Sequence, residues 1–358
     1  MATWRDFRKD PKLFNNLKIR ERIIASIRHY FKEQNFLEVE TPLLVPTVIP
    51  ESYLEVFKTD QLDRRRAKKQ MFLTASPEAS QKKLIVAGLR NCFEITRSFR
   101  NGETDSQTHT PEFTILEWYR VSATYKQSMR DCQYLLRKIA SDLHAFDKRK
   151  FPNASLICYQ GKDISFQLPW THLSVMEATE RYADIGLNDI TEKRAQTFHQ
   201  IFSVSKIAAV AQKKGYSVGK KDSWEQIFNQ IFLNEVEPEV RKLEKPVILY
   251  DYPAPMAALS KLHPKDKRLA QRFELYIGGL ELADSYSELT DWMEQEKRFQ
   301  KELQTIHRLG KTPVIADSDF LDALKVGLPK STGVALGVDR LVMLFCDEDS
   351  INRVRITV

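Results

Sequence analysis

Phe273-Glu-Leu-Tyr-Ile277-Gly278-Gly279-Leu280-Glu-Leu-Ala283 is the stretch from which the fold is read. Two runs of β-forming residues flank a Gly-Gly pair. That is a strong short-range sign of a two-residue hairpin, because its loop positions need positive φ. With a two-residue loop, Ile277 pairs with Leu280 and Tyr276 with Glu281. Side chains alternate along a strand, so Glu274, Tyr276, Glu281 and Ala283 are expected on one face. Glu274 and Glu281 are then diagonal neighbours. Two carboxylates among apolar neighbours repel unless a cation lies between them, and Mg²⁺ suits such a pair completed by substrate phosphates. The same spacing describes a solvent-exposed strand face, and spacing alone does not separate the two.

Working outward, Pro246-Val-Ile-Leu-Tyr-Asp-Tyr252 reads as a further strand. Residues 92–100 and 112–119 alternate like strands, and the polar loop Asn101 to Pro111 joins them into a long hairpin. Phe113, Ile115, Glu117 and Tyr119 fall on one face, and Arg100 ends the opposing strand. An arginine there can grip a phosphate with two donors, and a nearby aromatic ring can stack on a base. An Arg–Glu cross-strand pair is the plainer alternative. Gly333-Val-Ala-Leu-Gly-Val-Asp-Arg-Leu-Val-Met-Leu-Phe345 reads as a strand running into a helix. Arg340 would sit beside N–H groups that favour anions, or stand exposed in a first turn. Gly333 and Gly337 imply close approach to the backbone.

Residues 17–35 have helical spacing through Leu17, Ile23, Ile24, Ile27, Tyr30 and Phe31. The chain then turns extended before Pro42. Residues 126–145 and about 291–309 read as helices, and 171–245 as a mostly helical, polar insertion or cap. Hairpin strands with helices in blocks predict an α+β fold with an antiparallel sheet. The absence of GxGxxG and Walker loops argues against a Rossmann sheet.

Of the 358 residues, 42% are hydrophobic and 29% charged, enough for one large domain with a smaller insertion. No apolar run reaches membrane-spanning length, and Met1-Ala-Thr-Trp-Arg-Asp carries no apolar signal core, so a soluble, cytoplasmic protein is expected. Cys92, Cys132, Cys158 and Cys346 are far apart with no CxxC pair. They read as buried thiols, without disulfides or zinc. The net charge of +7 suits an acidic partner, nucleic acid or protein. The run Arg64-Arg65-Arg66-Ala67-Lys68-Lys69 is either a solvated loop or a docking patch.

In order, these segments resemble the three motifs of class II aminoacyl-tRNA synthetases, specifically the lysyl type. The first helix with Phe36-Leu-Glu-Val-Glu-Thr-Pro-Leu43 is similar to motif 1, which builds a dimer interface in that family and implies a homodimer. Phe99-Arg100-Asn101, then His109-x-x-x-Phe113-Thr-x-x-Glu117, is similar to motif 2. Gly333 to Leu341 is similar to motif 3. Thr74-Ala-Ser76-Pro77-Glu78 and Glu281-Leu-Ala-Asp-Ser-Tyr286-Ser-Glu288-Leu resemble lysyl-type amino-acid pocket segments.

The resemblance implies an enzyme that activates lysine, or a close analogue, with ATP and Mg²⁺. Arg100 and Arg340 would be the catalytic arginines. Arg100 would bind the α-phosphate and the substrate carboxylate. Phe113 would stack on adenine, with Arg340 on its other face or on the γ-phosphate, and His109 would contact the outer phosphates. Asn101, Glu103, Glu281, Leu282 and Gly337 would complete the ATP site, and Glu274 and Glu281 would hold the metal. Ser76, Pro77, Glu78, Glu117, Tyr119, Tyr286, Glu288 and Ala335 would form the amino-acid pocket. A buried acidic pocket pairs an ammonium group and rejects neutral analogues.

Motif 1 begins near residue 17, which leaves no room for an anticodon-binding domain. The expectation is therefore one catalytic domain over 1–358, with the helical insertion at about 171–245. This short form resembles the elongation factor P–lysine ligases, which transfer a lysyl or (R)-β-lysyl group to a lysine of that translation factor. Ala335, where synthetases have glycine, agrees. The expected partner is elongation factor P, and tRNA is not expected. A short tRNA-charging enzyme and a non-catalytic binding paralogue are the rival readings. The sequence departs from the family pattern at Gly102, with Glu103 offered as the displaced motif 2 glutamate. It also departs at Thr110 and at Asp284-Ser285.

Overall fold

The computed structural model describes residues 3–192, 198–257 and 259–356. Its strands are β1 (Leu37–Glu38), β2 (Leu44–Val45), β3 (Phe57–Leu62), β4 (Lys68–Leu73), β5 (Cys92–Phe99), β6 (Glu112–Val121), β7 (Leu156–Tyr159), β8 (Lys162–Ser165), β9 (Thr171–Ser174), β10 (Val247–Pro253), β11 (Leu269–Ile277), β12 (Leu280–Ser287) and β13 (Ser331–Gly337). Its α-helices are α1 (Trp4–Lys9), α2 (Pro11–Glu33), α3 (Glu78–Val86), α4 (Tyr125–Phe146), α5 (Val175–Ala183), α6 (Phe198–Ile201), α7 (Val204–Lys213), α8 (Trp224–Ile231), α9 (Glu237–Val240), α10 (Trp292–Arg308), α11 (Ser318–Gly327) and α12 (Val338–Cys346).

Eight strands form the main sheet in the order β1-β5-β6-β13-β12-β11-β10-β9. The six central strands are antiparallel, as expected; the edge strands β1 and β9 run parallel to their neighbours. Residues 171–174, expected to open the helical insertion, are the edge strand β9 instead. The helices that follow are polar mainly on their outer surfaces. Inside, Ile207, Trp224, Phe228, Phe232 and Val236 pack on Val247, Leu249 and Tyr276 as a separate apolar core. Residues 193–197 of that segment lie outside the described residues.

Local chemistry places the long helices. Pro11 sits in the first turn of α2, where its missing N–H costs nothing, and the Asp10 side chain caps it by accepting from the Lys12 N–H at 3.0 Å. Ile19, Ile23, Ile27 and Phe31 recur at helical spacing on its buried face. With α4 and α12 this helix covers one face of the sheet, against Phe93, Leu116, Trp118, Leu275, Val334 and Leu336. On the other face, α3, α10 and α11 cover one end through Ile85, Phe299, Phe320 and Leu324. The helical segment covers the opposite end. Polar side chains occupy the strip between these two smaller cores.

The Gly278-Gly279 turn forms as read, with φ of 59° and 86° and with Ile277 opposite Leu280 and Tyr276 opposite Glu281. One step further in, the register shifts. Leu275 pairs with Ala283, so Leu282 is the extra residue of a β-bulge. The bulge corrects one expectation: Ala283 faces the apolar core, and Asp284 joins Glu274 on the polar face. A second correction concerns the thiols. Cys92, Cys132 and Cys346 are buried, but Cys158 points outward from the two-stranded β7–β8 hairpin. The basic run 64–69 lies at the exposed turn and strand start of the β3–β4 hairpin. Among the described residues, no helix is long and apolar enough to cross a membrane.

Candidate active site

Strand register builds the floor of the site. Cys92, Tyr119, Gly333, Tyr286 and Arg272 lie opposite one another in a row across β5, β6, β13, β12 and β11. The next row is Glu94, Glu117, Ala335, Asp284 and Glu274. Directly opposed residues project from the same face, so side chains distant in sequence meet here. Gly333 is required sterically: a Cβ there would lie 2.4 Å from Tyr119 Cε1 and 2.7 Å from Glu288 Oε1. At Gly337 a Cβ would meet the Arg340 side chain first, at 3.8 Å, so among the described residues no group makes the close approach expected there.

The expected nucleotide groups converge. The Arg100 guanidinium lies 5.1 Å from the Phe113 ring centroid, and its Nε is buried with no hydrogen-bond partner among the described residues. A buried, unpaired cationic donor is costly, and an anion relieves it. Arg340 donates to the carbonyls of Glu281 (2.7 Å) and Thr108 (3.2 Å), and its Nη2 lies 2.6 Å from His109 Nε2. Burial first, then the charges of Arg340 and Arg100, push the His109 imidazole down to about 4. It is therefore neutral at pH 7. The network assigns Nε2 as the acceptor, with Nδ1 towards the Ser106 and Thr108 hydroxyls.

Gly102 has φ +78°, in the left-handed region that favours glycine. Glu103 follows it, with Oε1 3.9 Å from Arg100 Nη1. Burial raises the Glu103 carboxyl, and Arg100 and Arg340 oppose that shift. Two expected members stand apart. Asn101 is exposed, and its side chain accepts from the next N–H. The Leu282 side chain is turned into the core by the bulge, leaving only its backbone for the site.

Glu274 and Glu281 share the polar face. Burial raises both carboxyls, against Arg272 at Glu274 and against Arg340 at Glu281; the Glu281 charge raises Glu274 further. Arg272 was not anticipated. It donates to Glu274 Oε1 (2.8 Å) and grips Asp284 with two donors at 3.0 Å, while the Tyr276 hydroxyl donates to Glu274 Oε2 (2.7 Å). Its signal was the i, i+2 spacing from Glu274 on one strand face. Burial is the larger cause, and the Glu281 charge adds to it at Glu274, so a divalent cation between them would favour the ionised forms. Glu274 and Glu281 are the residues that would hold Mg²⁺ here, as a pair: among the described residues no cluster of three or more His, Cys, Asp or Glu side chains is placed to hold a metal.

The residues expected to form an amino-acid pocket gather at the start of α3, a helix the sequence reading did not identify. Pro77 is its N-cap, and Glu78 is its first residue. The Ser76 hydroxyl donates to Glu117 Oε1 (2.5 Å) and accepts from the Glu78 N–H (3.1 Å). Tyr286 donates to Glu78 Oε1 (2.8 Å). Burial, then the Glu78 charge, pushes the Glu117 carboxyl up to about 8. Ser76 and Glu78 also line a cavity of about 500 Å³ that extends beneath residues 42–56. Lys82, one turn along α3, is ion-paired to both Glu78 and Glu288. Sequence reasoning missed it, although its i, i+4 spacing from Glu78 was a usable signal.

A family model described as tRNA synthetases class II (D, K and N) matches residues 2–356. The chain belongs to that family. Among curated relatives of this class II chain, the elongation factor P–(R)-β-lysine ligase of Haemophilus influenzae (strain PittGG) is 33% identical over 340 residues, covering 95% of this chain and 93% of the relative. The ligase of the same description from Erwinia tasmaniensis is 34% identical over 342 residues, with 95% and 93% covered. The lysine–tRNA ligase of Carboxydothermus hydrogenoformans is 32% identical over 347 residues, covering 96% of this chain but 65% of that longer relative. The class II family and the antiparallel sheet carrying its three motifs thus agree with the sequence reading.

Proposed function

We propose that the chain is an ATP-dependent ligase that activates lysine or (R)-β-lysine as an adenylate and transfers it to a lysine of translation elongation factor P. One observation carries this reading. The unpaired Arg100 donor beside Phe113, together with Arg340 and Glu281, stands on the same sheet face as the Glu78–Glu117–Glu288 pocket. An anion site and an ammonium site thus adjoin on one rigid floor.

In the first step a substrate carboxylate oxygen bonds to the α-phosphorus while the bond to pyrophosphate breaks. Arg100 orients the carboxylate and neutralises the α-phosphate, and Arg340 takes charge on the leaving side. Catalysis is positioning and charge stabilisation, with no covalent enzyme intermediate. Mg²⁺ held by Glu274 and Glu281 would supply further neutralisation of the phosphates. In the second step the acceptor lysine amine attacks the carbonyl carbon, an amide forms, AMP leaves and the amine releases a proton. His109, neutral and accepting from Arg340 through Nε2, orients that arginine towards the outer phosphates. Glu103 serves as the motif 2 glutamate, brought into place by the left-handed turn at Gly102.

The reading places the protein in the cytoplasm as a homodimer built on α2 and β1. Leu37 of β1, an apolar residue 55% exposed at the sheet edge, supports that surface. The test is incubation with ATP, each lysine isomer, and either elongation factor P or tRNA, followed by mass spectrometry. One added lysyl or β-lysyl group on elongation factor P is expected. Charging of tRNA alone would overturn the assignment.

A further inference from the structure

Lys82 is 1% exposed, so its ammonium is wholly inside the protein. Its Nζ contacts Glu78 Oε1 and Glu288 Oε2 and lies 5.4–5.9 Å from the ring centroids of Tyr286, Phe320 and Tyr119. An ammonium in such a site persists only with charged partners. Burial opposes its charge, but Glu288 and Glu78 outweigh that and hold it above the ordinary lysine range. The third carboxylate, Glu117, has the Ser76 hydroxyl as its hydrogen-bond donor.

We propose that Lys82 is a built-in counter-cation of the amino-acid pocket. By compensating one of the three carboxylates Glu78, Glu117 and Glu288, it leaves a pocket fitted to a substrate bearing two ammonium groups. This rests on the ligase reading and deepens it. Burial holds Glu117, at about 8, and Glu288 largely protonated in the empty pocket; with substrate bound and all three carboxylates ionised, one internal ammonium leaves two negative charges. A diamino acid brings two ammonium groups, while its carboxylate is directed to Arg100. A neutral side chain would leave one carboxylate unpaired, and a pocket without Lys82 would carry one negative charge too many. Lys82 is thus a positioning and specificity residue that acts through its neighbours.

The charged and titratable groups around it come from every packed element. Glu78 is on α3, and Glu117 and Tyr119 are on β6. Tyr286 is on β12, with Glu288 just beyond it, and Cys92 is on β5. Arg100 acts on Glu117 and Lys261 faces Glu288 from further away. With Lys82 neutral, one more proton would reside among the three carboxylates at pH 7 and would have to leave when the substrate binds.

The experiment is lysine-dependent ATP–pyrophosphate exchange by the wild type, Lys82→Met and Lys82→Arg between pH 6.5 and 8.5. Lys82→Met should raise the KM for lysine at least 10-fold at pH 7 and leave the KM for ATP within about threefold. Its log(kcat/KM) for lysine should rise with pH more steeply than wild type, by roughly one proton's worth. Lys82→Arg should restore the wild-type slope. A Lys82→Met profile superposing on wild type, or equal losses for lysine and ATP at an unchanged slope, overturns the proposal. If Lys82→Met does not fold, ¹⁵N NMR of lysine-labelled wild type decides. The Lys82 Nζ should stay in the ammonium range through pH 8, and a neutral amine there overturns it. Absence of wild-type exchange with lysine or β-lysine would instead fail the ligase reading, while the NMR measurement, which needs no turnover, still decides the charge on Lys82.

Discussion

His109 shows how the proposed ATP site uses single residues. Its imidazole is held neutral by burial and by two arginines, so its proton affinity falls from an ordinary 6.5 to about 4. Between those values the unfolded chain binds more protons at this site than the folded chain does. The group therefore adds stability above pH 6.5, and that stability is lost as pH falls through 4. His109→Gln should flatten the acid side of the stability profile between pH 6.5 and 4, as read by thermal melts in matched buffers. A slope identical to wild type would contradict the assignment of a neutral imidazole. The residue type was legible in the sequence; its protonation state was not, because that depends on Arg340, which lies 231 positions away.

At the scale of elements, β13 sets both walls of the proposed amino-acid pocket. Its small residues let Tyr119 and Glu288 close over the strand. Gly333→Ala should destabilise the fold by about 1–3 kcal/mol, since the new methyl collides with two well-packed groups. It should also raise the KM for the amino acid far more than that for ATP; denaturant melts and exchange kinetics read the two effects. The start of α12 is fixed by Asp339, which accepts from Arg20 Nη1 of α2 (2.6 Å) and from the Thr114 N–H of β6 (2.8 Å). Asp339→Ala leaves a largely buried guanidinium without that partner, a loss on the order of 3 kcal/mol. Because Arg340 is the next residue, urea unfolding and exchange activity should fall together. The hairpin and the strand-to-helix turn were readable from glycine spacing. The tie among three elements was not, since the ligands of Asp339 come from segments with no local relation to it.

Over the whole molecule, one face of the sheet is a continuous apolar core, and the other carries the site between two smaller cores. The helical segment owns one of these. Trp224→Ala, which removes a ring stacked on Phe228, should cost about 3–5 kcal/mol of stability. Well below the unfolding midpoint, lysine-dependent exchange should keep most of its kcat, because this core contributes no pocket carboxylate. A proportionate loss of kcat would show that the helical segment shapes the site directly. By itself, the sequence determined the antiparallel hairpins, the motif order and the grouping of Arg100, Glu117, Glu281 and Arg340. The hairpins follow from spacing along a strand, where geometry is local and side chains alternate, whereas the motif order and the grouping of those four residues follow from the resemblance to the class II motifs. Only the tertiary structure decided the bulge that turns Leu282 and Ala283 into the core, the parallel edge strands, and the burial of Lys82 between Glu78 and Glu288. Those depend on which distant segments exclude water from one another, a property of the packed molecule that no local pattern encodes.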